Sequence, residues 1–313
     1  GLPFQFLIIK VMATSSRSSA RDSSRGRALP RQPRRILDLA AVWRDTWRRL
    51  QKGRSDVELQ PIEVYDFQHD FDPTACAEAG AQRCAIALSA GDSLEAARRV
   101  AAAAAGQGAR PLVLNFASKS LPGGAVASGV LAQEETIFRC TSLGLSLNPE
   151  KAPRCYPLPP GRCLVSRGIA VVKDSEYQWL PEPSAQIDVA TSAAQQKPPL
   201  AEDGLHYGDP AEMRMRAAAV LQAAVRAGSR YLVLGAWGCG GFRNPALGLA
   251  EIFRDLLCED GYGLCFDYVE FAIPSEKHAI HFDSVFKDVA SPSLEDRVES
   301  SAPVGTSQTH SPD

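Results

Sequence analysis

The chain has 313 residues, of which 45% are hydrophobic and 22% are charged. These proportions are ordinary for a soluble globular protein, and the length allows one large core or two small ones. No apolar stretch is long enough to span a bilayer, which argues against an integral membrane protein.

The net charge of −2 conceals an uneven distribution along the chain. Residues 1–54 contain 13 Lys and Arg against three acidic residues, about +10, which leaves about −12 for the remainder. We predict that residues 1–33 form a disordered basic arm, because this Ser- and Arg-rich composition cannot build a core. Such an arm would attract polyanions weakly. The same composition also fits an organellar transit peptide.

Eight cysteines and five histidines are present, but they form neither a C-x-x-C pair nor a zinc-binding spacing. We therefore expect reduced thiols in an intracellular protein of the cytoplasm or nucleus. We expect no metal, no cofactor and no membrane contact, and we expect a monomer.

Strands and helices alternate along residues 34–289, which predicts one α/β domain, followed by a disordered polar tail over 290–313. Strands are predicted from their apolar runs at 62–67, 84–88, 110–116, 169–172, 187–191, 230–234 and 268–273. Helices are predicted from their periodicity and capping residues at 34–52, 93–105, 132–145, 211–227, 245–258 and 276–286.

Two glycine-rich loops each follow a buried strand and lead into a helix. We call residues 117–132 the first glycine loop and residues 235–244 the second glycine loop. Ligands of open α/β sheets bind beyond the carboxyl ends of the strands, where helix N-termini present free N–H groups that suit a phosphate. Two such loops predict a phosphate-containing ligand held from both sides.

Adjacent glutamates, Glu134 and Glu135, open the helix after the first glycine loop. Neighbouring helical residues point about 100° apart, so one glutamate can face a ligand while the other bonds a backbone group or a sugar hydroxyl. Two acids in a first helical turn can also serve only to complement the helix dipole. From the residues alone, acid catalysis and helix capping both stay open.

The second glycine loop ends in an aromatic residue, Phe242. This order suits a loop that lies along a diphosphate and covers a sugar, but it also suits a tight turn with a buried Phe. Trp237 is interpreted as a core residue rather than a ligand-stacking one. Cys239 could act as a nucleophile with His278 or His281, although the loop lacks the G-x-C-x-G spacing of a nucleophile elbow.

Both loops resemble motifs of the microbial-type poly(ADP-ribose) glycohydrolase family. The run VLNFASKSLPGGAVASGVLAQEET is similar to the family pattern of N-F-A, P-G-G-G and A-Q-E-E, and YLVLGAWGCGGFRN is similar to G-A-W-G-C-G-x-F-x-N. The resemblance covers about residues 34–289. It implies a macrodomain-like three-layer fold with a mixed central sheet flanked by helices. It also implies that the chain binds poly(ADP-ribose) or ADP-ribosylated proteins.

The resemblance also assigns site residues. It implies that Glu135 is the catalytic acid and base, with Glu134 beside it in the catalytic pair, and that Glu134 and Gln133 help to hold the riboses. It places the following residues along the diphosphate and the riboses: Ser118, Gly123, Gly124, Ala125, Gly238, Cys239, Gly240, Gly241 and Phe242.

Ala125 departs from the family pattern, which has glycine there. Its methyl group would crowd the ligand or, if the position requires a positive φ, cost of order 1 kcal/mol. Weakened catalysis would leave a non-catalytic reader of ADP-ribose, which is the alternative to hydrolysis of the ribose–ribose O-glycosidic bond.

Overall fold

The computed structural model describes residues 37–53, 60–77, 81–148, 154–183 and 185–289. The chain divides after Asp38 into two units, and the account below concerns the second, which begins at Leu39. The arm predicted for 1–33 and the tail predicted for 290–313 lie outside the described residues, as does the start of the helix predicted from residue 34.

A seven-stranded mixed sheet forms the centre of the domain, in the order β1-β4-β5-β3-β6-β7-β2. Only the pairs β1–β4 and β4–β5 are antiparallel. Its strands are β1 Glu63–Asp66, β2 Ala85–Ser89, β3 Leu112–Phe116, β4 Arg162–Ala170, β5 Gln186–Ser192, β6 Tyr231–Leu234 and β7 Tyr268–Ala272.

Helices cover both faces of this sheet, which confirms the predicted three-layer α/β fold. They are α1 Leu39–Lys52, α2 Ser93–Ala104, α3 Gln133–Cys140, α4 Leu143–Ser146, α5 Ala211–Arg226, α6 Ala246–Arg254 and α7 Glu276–Phe286. One apolar core joins the sheet to α5, α6 and α7, and a second joins its other face to the first four helices. β3 serves both cores: Leu112 and Leu114 face the first, whereas Val113 faces the second. Its uninterrupted apolar run is explained by this burial on both sides.

Two predicted elements differ from the structure. The strand expected at 169–172 starts seven residues earlier, at Arg162, because Arg167 within it is neutralised by Glu63 and Asp188 and so can lie in the sheet. The helix expected at 132–145 is broken where Thr141 adopts an extended conformation and bridges to Val171. Both differences arise from partners that are distant in sequence. A charged residue can lie in a strand, and a helix can end early, when such partners are present.

Arg139, on the last turn of α3, is fully buried and holds α1 against the first glycine loop. Its guanidinium donates to the carbonyl oxygen of Leu39 at 3.1 Å and to those of Val126 and Val130 at 3.3 and 2.7 Å. Thr46 of α1 in turn donates to the carbonyl of Arg139 at 2.8 Å. The α3 helix and the loop before it are thereby fixed by a helix at the start of the domain.

Candidate active site

The two glycine loops leave the sheet side by side. They follow β3 and β6, which are neighbouring parallel strands, so both begin at the same edge of the sheet. A Cβ added to Gly235, the first residue of the second glycine loop, would lie 3.0 Å from the ring of Phe116 at the end of β3. The prediction that both loops face one ligand site at the carboxyl ends of the strands is therefore consistent with the topology.

Glu134 is buried beneath the first glycine loop, and both of its carboxylate oxygens are occupied. Oε2 accepts the N–H of Ser118 at 2.7 Å, and Oε1 accepts the N–H of Gly123 at 3.0 Å. The side chain of Asn115, at the end of β3, donates to the same Oε1 at 3.5 Å. Glu134 thus fixes the backbone of the loop, and a direct contact with ribose stays a prediction.

Glu135 lies beside it with a different set of partners. Its Oε1 accepts the N–H of Ala125 at 3.0 Å, whereas Oε2 has no hydrogen-bond partner among the described residues. The side chain is 6% exposed, so one oxygen of a nearly buried carboxyl group remains available to a ligand. The two glutamates therefore differ as neighbouring helical residues can: Glu134 bonds the backbone through both oxygens, and Glu135 through only one.

Gln133 braces the end of β3. Its Oε1 accepts the N–H of Phe116 at 2.9 Å, while its Nε2 donates to the carbonyl of Leu114 at 2.7 Å and to the hydroxyl of Ser93 at 3.2 Å. Both hydrogens of the Gln133 amide are therefore engaged within the protein. The predicted contact of Gln133 with ribose stays a prediction. The hydroxyl of Ser118 likewise accepts backbone N–H groups of its own loop.

The glycines of the first loop are required by close packing against the glutamates. Gly124 has φ +52°, and a Cβ there would lie 2.7 Å from Oε1 of Glu135 and 3.0 Å from Oε2 of Glu134. Gly123 has φ +73°, and its Cβ would lie 2.9 Å from the ring of Phe138. Ala125 has φ −103°. The backbone strain considered for Ala125 is therefore absent, since an alanine adopts this conformation freely.

The side chain of Asn244 holds the second glycine loop through three hydrogen bonds. Its Nδ2 donates to the carbonyls of Gln195 and Gly238 at 2.8 and 3.1 Å, and its Oδ1 accepts the hydroxyl of Tyr207 at 3.1 Å. Gly238 has φ +78°, and a Cβ there would lie 2.4 Å from Nδ2 of Asn244. The sequence did not predict these hydrogen bonds, because Gln195 and Tyr207 lie far from Asn244 along the chain.

The tip of the second glycine loop is open. Gly240 and Gly241 are exposed, and an added Cβ would meet no atom within 4 Å at either. Neither has a positive φ, so the fold itself does not require glycine there, whereas close approach of a ligand to the backbone would. Phe242 is half-buried against the core, and the interpretation of Trp237 as a core residue is confirmed because it is fully buried.

Cys239 is poorly suited to nucleophilic attack. It is buried, and burial raises the pKa of its thiol to about 12, which keeps it protonated near neutral pH. Within the described residues its sulfur donates to the carbonyl of Trp237 at 3.9 Å and forms no hydrogen bond with a histidine. The cysteine-hydrolase hypothesis with His278 or His281 therefore loses its geometric basis.

Two further features concern the described part of the chain. It contains no group of three His, Cys, Asp or Glu side chains placed to hold a metal ion. None of its helices is long and apolar enough to cross a membrane.

The burial of Glu134 should make the stability of the protein depend on pH. Burial raises the pKa of its carboxyl group from 4.5 to about 8, despite the opposing N–H donors of Ser118 and Gly123. A carboxyl that holds its proton more tightly when folded destabilises the fold as pH rises from about 4.5 to about 8. We expect the free energy of unfolding to fall by a few kcal/mol over this window.

Urea unfolding at pH 5 and pH 8 measures this effect. Glu134→Gln should flatten the dependence on pH, whereas Glu202→Gln, which changes an exposed loop residue, should leave it as in the wild type. Parallel curves for the wild type and Glu134→Gln would show that Glu134 is ionised in the folded protein throughout.

The fold and the site together define a macrodomain-like domain in which two glycine loops leave the same edge of the sheet and a carboxyl pair packs under the first of them. The sequence profile described as "Microbial-type PARG, catalytic domain" matches residues 54–161. Among curated proteins, none matches the sequence.

Solved structures agree with this match. Poly(ADP-ribose) glycohydrolase from Thermomonospora curvata is 28% identical, with a TM-score of 0.64, over 79% of this chain and 99% of that one. The same enzyme bound to the inhibitor ADP-HPD is 29% identical, with a TM-score of 0.61, over 79% and 98%. The Deinococcus radiodurans enzyme in complex with ADP-ribose is 26% identical, with a TM-score of 0.59, over 77% and 98%.

Residues 54–161 thus match the catalytic-domain profile of microbial-type poly(ADP-ribose) glycohydrolases, and the chain is similar in fold to two bacterial poly(ADP-ribose) glycohydrolases. The resemblance stated for the first glycine loop is confirmed by the profile match, and the macrodomain-like fold is confirmed by the solved structures, whereas the second glycine loop lies outside the matched residues.

Proposed function

We propose that this protein hydrolyses the ribose–ribose O-glycosidic bonds of poly(ADP-ribose), releasing ADP-ribose, with Glu135 as the general acid and base. The observation that carries the proposal is the unequal pairing of the two glutamates. Glu134 has both oxygens engaged by the loop backbone, whereas Glu135 keeps Oε2 without a partner among the described residues. The solved relatives that bind ADP-ribose or ADP-HPD support a ligand at this edge.

The reaction begins with protonation of the leaving oxygen. As the bond from the anomeric carbon of one ribose to the 2′-oxygen of the next breaks, positive charge develops on the sugar ring. Glu135 gives its proton to the departing 2′-oxygen, and the negative diphosphate nearby stabilises the oxocarbenium-like sugar. The ionised Glu135 then takes a proton from the attacking water. One carboxyl group serves both steps, and its proton is restored at the end of the cycle.

The first glycine loop supplies the geometry for this reaction. Gly123, Gly124 and Ala125 bring the backbone against the glutamates, and in this proposal their remaining surface contacts the diphosphate and the terminal ribose. The second glycine loop, from Gly238 to Gly241, takes the other side of the diphosphate, and Phe242 packs beside the scissile ribose. These ligand contacts are part of the proposal, supported by the open tip at Gly240 and Gly241.

Partners and location complete the proposal. We propose a monomer that acts inside the cell, and the eight cysteines, none of which forms a disulfide, support the intracellular location. The 13 basic residues of segment 1–54 would add attraction to the polyanionic substrate.

Incubation with purified poly(ADP-ribose) separates an enzyme from a binding-only reader. We expect free ADP-ribose to accumulate and the polymer to shorten, as followed by chromatography with mass detection. Polymer that is retained by the protein but keeps its full length would establish the reader instead. The relaxed backbone of Ala125 removes one reason to favour the reader.

A further inference from the structure

Lys197 and Arg243 flank the tip of the second glycine loop. The N–H of Lys197 donates to the carbonyl of Phe242 at 2.7 Å, so its backbone lies directly beside the residue that precedes Arg243. The N–H of Arg243 closes the turn by donating to the carbonyl of Gly240 at 3.1 Å. Both residues are exposed. Two cationic side chains therefore leave the backbone next to Phe242, at the mouth of the proposed site.

Both residues have a positive φ, which is the left-handed backbone conformation that glycine adopts most readily. Lys197 has φ +48° and Arg243 has φ +59°. Side chains with a Cβ are disfavoured in this left-handed region, where glycine is accommodated without cost and asparagine is tolerated. Ten described glycines have a positive φ, and Tyr177 is the third of three described non-glycine residues that do. At both positions beside Phe242, the chain thus has a long cationic side chain where a glycine would remove the backbone strain.

Neither cation is neutralised within the described residues. Several other exposed or half-buried arginines of the domain have carboxylate partners, as Arg167 has Glu63 and Asp188. No ion pair is made by Lys197 or Arg243 among the described side chains. An unpaired positive charge held in a disfavoured conformation beside a binding site is typical of a ligand contact.

We propose that Lys197 and Arg243 form a second anion subsite, which binds the diphosphate of the ADP-ribose unit adjacent to the one held at Glu135. This inference rests on the proposed function, since it extends the same substrate beyond its first unit. A linear polymer carries one diphosphate in every unit, so a chain whose first unit lies between the glycine loops must place another diphosphate outside them. The backbones of the two cations flank Phe242, the residue that the proposed function sets beside the scissile ribose. Chains of two or more units are therefore preferred over a single ADP-ribose.

The double variant Lys197→Gly/Arg243→Gly tests the subsite without straining the fold. It is placed in the Glu135→Gln background, which prevents turnover, and its binding to size-fractionated poly(ADP-ribose) and to ADP-ribose is measured by calorimetry. We expect affinity for the polymer to fall about tenfold or more at low salt, while affinity for ADP-ribose changes by less than about twofold. The slope of log affinity against log salt concentration should become shallower by about 1 to 1.5, as for two lost phosphate contacts.

Three controls accompany the double variant. Its melting temperature should not fall, because glycine accepts both conformations. Lys197→Arg/Arg243→Lys, which keeps both charges, should bind the polymer as the parent does. Lys287→Gln removes an exposed cation just beyond α7 and outside both glycine loops, and it should change neither affinity.

The outcomes separate this inference from the proposed function. Unchanged affinity for the polymer, or an equal loss of affinity for polymer and ADP-ribose, would overturn the second subsite. A wild-type protein that binds the polymer without shortening it would overturn hydrolysis and leave the subsite to be judged by the binding data. A protein that binds neither ligand would overturn both.

Discussion

Replacement of Glu135 by glutamine is expected to lower the rate of ADP-ribose release about 10³-fold or more, while ADP-ribose still binds. Gln retains an oxygen that can accept the N–H of Ala125, so the first glycine loop should stay in place. It cannot give a proton to the leaving oxygen, and positioned general acids contribute about 10²- to 10⁴-fold. Because the same group activates water, both steps should suffer. Single-turnover release from polymer and calorimetric binding of ADP-ribose measure the two properties separately.

Two control variants, Glu134→Gln and Glu202→Gln, show whether a loss of activity is specific to Glu135. Glu202 is an exposed loop residue and its variant should release ADP-ribose at the wild-type rate. Glu134→Gln should act through the loop that Glu134 holds, and so should reduce stability and affinity together. If Glu135→Gln keeps more than about a tenth of the wild-type rate, Glu135 is not the proton donor.

The second large effect is expected from a single methyl group at Gly124. Gly124→Ala would place a Cβ 2.7 Å from Oε1 of Glu135 and 3.0 Å from Oε2 of Glu134, at a backbone φ of +52°. Oε1 of Glu135 would have to shift and Oε2 of Glu134 to give slightly, and misplacement of a catalytic group by up to about 1 Å can cost up to about 10²-fold in rate. We expect a loss of activity of this size, with a loss of stability of about 1–2 kcal/mol from the left-handed backbone.

Gly106→Ala is the matched control for this change. Gly106 lies just after α2, where a Cβ would meet no atom within 4 Å and φ is not in the left-handed region. The same added methyl group should leave the melting temperature and the rate of release unchanged there. Wild-type activity in Gly124→Ala would mean that the glutamates do not depend on the tight packing of the first glycine loop.

The strands and most helices follow from local pattern alone. The apolar run before the first glycine loop predicted β3, and burial on both faces explains why its residues carry no polar alternation. The helix at 276–286 was predicted to the residue. Local pattern was insufficient for β4, whose Arg167 lies in the sheet only because Glu63 and Asp188 approach it from other strands.

The sequence predicted where the site lies, at the two glycine loops, but not the hydrogen bonds that hold those loops. Spacing on a helix indicated that Glu134 and Glu135 would diverge, and the structure gives them different partners. The contacts that fix the loops were not predictable, because they join segments remote in sequence, as Asn244 joins Gln195 and Tyr207. The full use of the Gln133 amide by β3 and Ser93 likewise depends on the assembled sheet.

A fragment trimmed to the residues that the profile matches would lack part of what holds the first glycine loop. The profile match starts at residue 54, whereas the carbonyl of Leu39 and the hydroxyl of Thr46 clasp Arg139 from further upstream. Loss of that segment would expose Phe138 and leave an interior guanidinium short of acceptors, a defect that proteins tolerate poorly. A minimal active fragment must therefore begin ahead of α1, even though the motifs that identify the enzyme begin after it.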